Sequence, residues 1–94
     1  MTSQLEIEVL TAGGCAACGE TIARVKQVIA EYPPGCIAFR EANVLEELDH
    51  AVELGVLSVP AVAINGELVL AGPATAKKIR QAIASQMAIL DAGS

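Results

Sequence analysis

Tryptophan is absent from this chain of 94 residues, and the aromatic side chains are limited to Tyr32 and Phe39. The core is therefore expected to consist of aliphatic side chains and alanine, which supply most of the 53% hydrophobic content. Basic residues are also scarce, since six lysines and arginines face eleven aspartates and glutamates, and the formal net charge is −5. A charge of this sign argues against nucleic acid or an anionic membrane surface as the partner.

Long apolar runs are missing too, which argues against a membrane-spanning segment. The longest run, residues 56–64, includes Ser58 and Pro60 and falls well short of the roughly 20 residues that a spanning helix needs. The first six residues contain neither a basic segment nor an apolar run, so we expect no signal peptide and a cytoplasmic protein. The length predicts a single domain over residues 1–94, with its core at about 4–90.

Cysteine is limited to three residues, and two of them, Cys15 and Cys18, lie where a predicted strand is followed by a predicted helix. Apolar and charged residues alternate within residues 4–10, and apolar residues recur at helical spacing within residues 15–31. Because the N–H groups at a helix N-terminus favour a thiolate, Cys15 is expected to ionise more readily than a free cysteine. Cys18 lies one turn deeper, within bridging reach. The pair indicates a site for forming and breaking a disulfide, and a structural disulfide or a metal clip is the alternative.

The remaining segments predict a second strand, a second helix, a β-hairpin and a last helix. Residues 36–40 form the second strand, which a right-handed crossover pairs in parallel with the first. Asn43 is expected to cap the second helix and Gly55 to end it, and its predicted apolar face consists of Leu45, Leu48 and Val52. Asn65-Gly66 between two apolar runs predicts a hairpin within residues 59–71. The last helix has an apolar stripe formed by Ile79, Ile83, Met87 and Leu90.

With this βαβαββα order, the chain resembles the thioredoxin fold in its minimal, glutaredoxin-sized form. It is most similar in pattern to the small archaeal and bacterial thioredoxin-like redox-disulfide proteins. The resemblance rests on three motifs, which are Cys15-Ala16-Ala17-Cys18, Ser58-Val59-Pro60 and Asn65-Gly66. It implies an α/β domain in which a four-stranded mixed sheet has helices on both faces.

The resemblance also implies a role for each residue of the first two motifs. Cys15 would be the exposed nucleophile, and Cys18 would be the resolving thiol. Pro60 would follow a cis peptide bond and pack against the disulfide, with Val59 beside it as a substrate-binding residue. Gly14, which stands where thioredoxins usually carry a tryptophan, is a further expected substrate-binding residue.

Three further residues have competing interpretations. Thioredoxins bury a carboxylate below the disulfide to accept a proton from the second cysteine, and Glu8 is the candidate here, although Val9 occupies the matching position. His50 is expected to be a solvated surface histidine, and Cys36 a small buried hydrophobic residue. Residues 72–75 lack the paired glycines and the acidic residue with which glutaredoxins hold glutathione, so glutathione is expected to be a poor partner.

The function that these residues indicate is thiol–disulfide oxidoreduction. We expect an electron carrier that reduces protein or small-molecule disulfides. Because the two cysteines carry the electrons, no cofactor or metal is expected. An unidentified reductase would return the oxidised carrier to its dithiol form. The Ala16-Ala17 spacer supplies no cation, so we expect a reductant with a potential of about −270 mV. One alternative is a CxxC module that binds or chaperones Cu(I), and another is a partner subunit whose cysteine pair has lost its function.

Overall fold

The computed structural model describes residues 5–93. These residues form seven elements: β1 (Leu5–Thr11), α1 (Ala16–Ile29), β2 (Ile37–Asn43), α2 (Leu48–Leu54), β3 (Ala61–Ile64), β4 (Glu67–Ala71) and α3 (Ala76–Gly93). The predicted βαβαββα order is therefore confirmed. Gln4, the predicted start of the first strand, and Ser94, the last residue of the predicted domain, lie outside the described residues.

The four strands form one mixed sheet in the order β2-β1-β3-β4. β1 pairs with β2 in parallel and with β3 antiparallel, and β3 pairs antiparallel with β4. The turn between β3 and β4 is the predicted Asn65-Gly66 pair, whose φ angles of 53° and 80° place both residues in the left-handed region. Such angles suit asparagine and glycine and give the two-residue hairpin turn its twist. The fold class predicted from the sequence is confirmed.

The core has two parts because side chains alternate across the central strand β1. Leu5, Ile7 and Val9 are buried on the face covered by α1 and α3, where they join the larger cluster with Val25, Val28, Ile79 and Ile83, among others. Leu10 lies on the opposite face, in a smaller cluster of Ala42, Ala51, Ala61 and Ala63 beneath α2. Helices therefore cover both faces of the sheet, as expected. No helix among residues 5–93 is long and apolar enough to cross a membrane.

The predicted start of the second helix is wrong. Asn43 is the last residue of β2, and α2 begins at Leu48 behind an N-cap residue, Glu47, that makes no side-chain capping bond. The Asn43 side-chain oxygen instead accepts a hydrogen bond from the backbone N–H of Leu45 at 2.9 Å. Asparagine side chains compete in this way with helix formation by closing a local turn. Gly55 ends the helix in the left-handed conformation, as predicted.

The predicted apolar face of the second helix is also wrong. Leu45, Leu48 and Val52 are 76%, 58% and 69% exposed, and Ala51 is the residue that α2 buries against the sheet. A helix of seven residues presents only a narrow stripe to its support. Beneath α2 the sheet presents small alanine side chains, and α2 packs against them through Ala51, which is also small. The leucines are left at the surface.

Cys36 lies just before β2 and not within the strand, which begins at Ile37 and extends to Asn43. Its thiol is free and the residue is half-buried, so the prediction of a buried hydrophobic residue is only partly met. The predicted stripe on the last helix is confirmed at Ile79 and Ile83, which are both 1% exposed.

Candidate redox site

The cysteine pair lies at the junction of β1 and α1. β1 ends at Thr11, and Gly14 has a φ of 78°, a left-handed conformation that glycine adopts without strain. Cys15 is the N-cap residue of α1, with an extended backbone, and its sulfur accepts a hydrogen bond from the backbone N–H of Cys18 at 3.2 Å. Gly14 thus lets the chain turn from the strand into the helix with a cysteine at the cap.

Cys15 and Cys18 are joined by a disulfide bond, with their Cα atoms 5.4 Å apart. Their accessibility differs, because Cys15 is half-buried whereas Cys18 is only 4% exposed. A reagent or a protein surface can therefore reach the first sulfur more easily than the second. The arrangement is suited to thiol–disulfide exchange, in which one sulfur meets the substrate and the other stays inside.

The Ser58-Val59-Pro60 segment lies at the same edge of the sheet as the cysteine pair. Leu10 pairs with Ala61 across the antiparallel strands, so the start of β3 lies beside the end of β1. The Val59–Pro60 peptide bond is cis. Pro60 is fully buried, and its carbonyl accepts a hydrogen bond from the backbone N–H of Gly72 at 2.8 Å. Val59 remains partly exposed, so this residue is the one of the two that a partner can contact.

Glu8 lies on the face of β1 that points towards α2, since it alternates with Ile7 and Val9 and shares its face with Leu10. Its side chain is 11% exposed. One carboxylate oxygen accepts hydrogen bonds from Nε and Nη2 of Arg40 at 2.9 and 2.6 Å and lies 2.7 Å from Nε2 of His50. The structure thus brings Glu8 to Arg40 and His50, and among the described contacts none joins it to either cysteine.

Arg40 connects two carboxylates in this cluster. Its Nη2 donates both to Glu8 and to Glu47, each at 2.6 Å. The pKa of the Arg40 guanidinium is raised, first by the hydrogen bond to Glu47 and then by the bond to Glu8. The cluster borders an open cleft of about 310 Å³, lined by Glu6, Ile7, Glu8, Ala38, Phe39, Arg40, His50 and Gly66.

Comparison with known proteins decides the family. The Thioredoxin_3 family, described as "Thioredoxin domain", matches residues 5–84. This chain belongs to that thioredoxin family. A protein named "Thioredoxin" from Methanocaldococcus jannaschii is 29% identical over 85 residues, which are 90% of this chain and 99% of that protein. A "Probable Thioredoxin" from Methanothermobacter thermautotrophicus is also 29% identical, over 83 residues, 88% of this chain and 96% of the relative.

Solved structures show the same fold at lower sequence similarity. Thioredoxin-2, described as "a component of malaria parasite protein secretion machinery", superposes with a TM-score of 0.73 at 15% identity, over 90% of this chain and 85% of its own. At that identity the likeness concerns the fold alone. The resemblance inferred from the cysteine motif, the Val-Pro pair and the hairpin is thereby confirmed.

The cluster formed by Glu8, Arg40 and His50 in this thioredoxin-family chain was not predicted from the sequence. His50 was expected to be a solvated surface residue, and that prediction is only partly met, because its side chain is 37% exposed but its ring also contacts the Glu8 carboxylate. Arg40 was not identified at all, although it is the register partner of Glu8 in the parallel pair β1–β2. Opposite charges at paired positions on one sheet face were the available signal for it. The role of Glu8 as proton acceptor stays a prediction.

Metal binding has no further support among the described side chains. Within residues 5–93, no group of three or more histidine, cysteine, aspartate or glutamate residues is arranged to hold a metal ion. A Cu(I) site made of two thiolates alone is smaller than such a group, so this observation does not test it.

Proposed function

We propose that this thioredoxin-family chain reduces disulfides, with Cys15 as the attacking thiol and Cys18 as the resolving thiol. The observation that carries the proposal is the difference between the two sulfurs. Cys15 is partly accessible at the helix cap, whereas Cys18 is buried one turn further on. A substrate therefore meets Cys15 first, and the internal sulfur is kept for the second step.

The reaction consists of two exchanges that transfer two electrons to the substrate. The Cys15 thiolate attacks one sulfur of the substrate disulfide, which forms a mixed disulfide and releases the other substrate sulfur as a thiolate that takes up a proton. The Cys18 thiol loses its proton, and its thiolate attacks the Cys15 sulfur. The second substrate sulfur leaves as a thiolate and takes up a proton, and the Cys15–Cys18 disulfide forms. The chain is then oxidised and the substrate dithiol is complete.

The N-terminal end of α1 supports the first exchange. The Cys18 N–H that donates to the Cys15 sulfur in the disulfide form points to the place where negative charge develops on a Cys15 thiolate. Hydrogen bonds to an ionised acceptor are about twice as strong as bonds between neutral groups. The helix end therefore stabilises Cys15 as the attacking thiolate of the first exchange.

Gly14, Val59 and Pro60 are the proposed substrate-binding residues. Gly14, the residue before Cys15, is exposed and Val59 is partly exposed, whereas Pro60 is buried and its carbonyl accepts a hydrogen bond from the N–H of Gly72. We propose that an extended segment of the substrate lies along Val59 with its sulfur over Cys15. The electrons reside on the two cysteines, so the proposed reaction needs no cofactor.

The proposal includes a reductase that returns the chain to the dithiol form, and a cytoplasmic location. A compartment that keeps thiols reduced favours a reductant of this kind. The protein would then act as an electron carrier between its reductase and its substrates.

The test is to measure reduction of a protein disulfide by dithiothreitol with and without the chain. We expect catalysis that depends on both members of the cysteine pair and is unaffected by Cys36→Ser, which removes the remaining thiol. Absence of catalysis by the wild-type chain, together with tight stoichiometric binding of Cu(I) to the reduced form, would replace this proposal with the soft-metal alternative.

A further inference from the structure

Large hydrophobic side chains are concentrated at one surface of the molecule, around α2. Among the described residues, five large hydrophobic side chains are exposed, and four of them lie between residues 45 and 57. We refer to these four as the α2 surface: Leu45, Leu48, Val52 and Leu57, with exposed fractions of 76%, 58%, 69% and 98%. Side chains of this kind that cluster on a surface mark sites of contact with another molecule.

The α2 surface borders a groove that leads to the redox site. The groove has a volume of about 230 Å³ and is lined by Val44, Leu48, Ala51, Val52, Val56, Leu57, Ser58 and Val59. At one end it reaches Val59, the residue before Pro60. The backbone N–H of Val44 donates to the carbonyl of Thr11 at 2.9 Å, which ties the same region to the end of β1. The groove therefore lies next to Val59 and close to the end of β1, four residues before Cys15 in the sequence.

Charge indicates the chemistry of the partner. Glu46, Asp49 and Glu53 are exposed among the residues of the α2 surface. Five of the six lysines and arginines belong to α1 and α3, on the other face of the sheet. The sixth, Arg40, is paired with Glu8 and Glu47. The groove lining is thus apolar apart from Ser58, and the exposed acidic side chains directly follow Leu45, Leu48 and Val52 in the sequence. Basic side chains of the chain itself do not neutralise these carboxylates.

This charge pattern argues against a second copy of the chain as the occupant. Two α2 surfaces brought together would place the acidic side chains of one copy beside those of the other, and like charges in contact are costly. A segment that combines apolar side chains with lysine or arginine is complementary in both respects.

We propose that the α2 surface docks a leucine-like apolar segment carrying lysine or arginine in the polypeptide whose disulfide the chain reduces. The inference rests on the proposed disulfide exchange and adds the class of substrate to it. Polypeptides that carry such a segment next to their disulfide are preferred over acidic polypeptides, and small disulfides that cannot reach the groove gain nothing from it.

Three probes test the inference, each reduced by the full chain with dithiothreitol as the electron source. The first is a synthetic peptide with one internal disulfide flanked by two leucines and two lysines. The second has glutamates in place of the lysines, and the third is bis(2-hydroxyethyl) disulfide, a small unactivated disulfide that dithiothreitol alone reduces slowly. We expect kcat/KM for the lysine peptide to exceed that for the glutamate peptide about tenfold.

Three variants separate docking from chemistry. The double variant Leu48→Gln/Val52→Gln is expected to lower kcat/KM for the lysine peptide about tenfold and to leave the small disulfide unchanged. Ile89→Gln, at a residue that is 61% exposed on α3, is the matched control and should leave all three probes unchanged. Asp49→Asn/Glu53→Gln is expected to reduce the preference for lysine over glutamate about threefold. Thermal unfolding of each variant checks that the fold is intact.

The possible failures are distinguishable. A wild-type chain that does not reduce even the small disulfide would overturn the proposed function. Reduction of the small disulfide together with equal kcat/KM for the two peptides would overturn the docking inference alone. The docking inference is also overturned if Ile89→Gln has the same effect as the double variant. Self-association of the chain that is abolished by Leu48→Gln/Val52→Gln would assign the surface to a second copy instead.

Discussion

The carboxylate of Glu8, on the central strand, lies 2.7 Å from Nε2 of His50, on α2. The two residues are 42 positions apart in the sequence, so this contact fixes the shortest helix to the strand that leads to Cys15. Arg40 completes the arrangement by binding the same carboxylate oxygen. The segment that follows α2 carries Val59, and its position relative to the cysteine pair therefore depends in part on a polar cluster on the far side of the sheet from α1.

Replacing the Glu8 carboxylate should weaken the fold. We expect Glu8→Gln to lower the free energy of unfolding by about 2 kcal/mol, because three charged or polar contacts to a nearly buried group are lost or weakened. Glu6→Gln, at an exposed position of the same strand, should stay within about 0.5 kcal/mol of the wild type. Urea denaturation measures both. The same variant tests Glu8 as proton acceptor, since a slower resolving step in the folded protein would support that role, and an unchanged step would assign Glu8 to anchoring.

Replacing Cys15 or Cys18 by serine should affect disulfide reduction in different ways. Cys15→Ser should abolish disulfide reduction, because the accessible nucleophile is gone. Cys18→Ser should accumulate mixed disulfides with the substrate, because attack occurs and resolution does not. Mass spectrometry after incubation with a disulfide peptide distinguishes the two outcomes, with Cys36→Ser as the control that does neither. Equal trapping by both variants would reverse the assigned order of the cysteines.

Thr21 should be one position where removing a polar atom stabilises the protein. Its side chain is completely buried, and its hydroxyl has no hydrogen-bond partner among the described residues. Because a buried hydroxyl without a partner is unfavourable, Thr21→Val should raise the free energy of unfolding by about 1 kcal/mol. Thr75→Val is the control of opposite sign, since the Thr75 hydroxyl accepts the backbone N–H of Lys78 at the start of α3. Loss of this capping hydrogen bond should lower the free energy of unfolding by about 1 kcal/mol. A destabilised Thr21→Val would indicate that the hydroxyl is satisfied, for example by a buried water.

The ion pair between Glu31 and Arg80 should make stability depend on pH in the acid range. Arg80 donates to both carboxylate oxygens of Glu31, at 2.9 and 2.6 Å. The pKa of Glu31 is lowered below its ordinary value of 4.5, chiefly by this hydrogen bond. The stabilisation is therefore complete above pH 4.5 and is lost as the pH falls through the lowered pKa in the folded state.

Comparison of the wild type with Glu31→Gln measures this pH dependence. The difference between their urea midpoints should be constant above pH 4.5 and disappear on acidification. Glu20→Gln is the control, because its contact with Arg24 is longer, at 4.0 Å, and both side chains are exposed. A difference that grows on acidification would contradict the sign of the shift.

Local patterns predicted the parts of the fold that depend on neighbouring residues. The cysteine pair at the end of β1 and the Asn65-Gly66 turn follow from periodicity and turn chemistry within a few residues. The orientation of α2 does not follow from local patterns, because it depends on which side chain fits against the alanines of the sheet. The burial of Ala51 in place of Leu48, and the contact of His50 with Glu8, both follow from that choice. For the same reason three residues of the α2 surface, Leu45, Leu48 and Val52, were wrongly predicted as the apolar face of the helix.

Cys15 caps α1 through the same sulfur atom that is proposed to form the covalent bond with a substrate. If the Cys15 sulfur moved towards the substrate in the mixed disulfide, it would lose the hydrogen bond from the N–H of Cys18 and α1 would lose its cap. The amide proton of Cys18 then exchanges with solvent faster in the trapped intermediate than in the disulfide form. The order of the first turn of α1 would then change with the oxidation state of the chain, and release of the product would restore the capping bond.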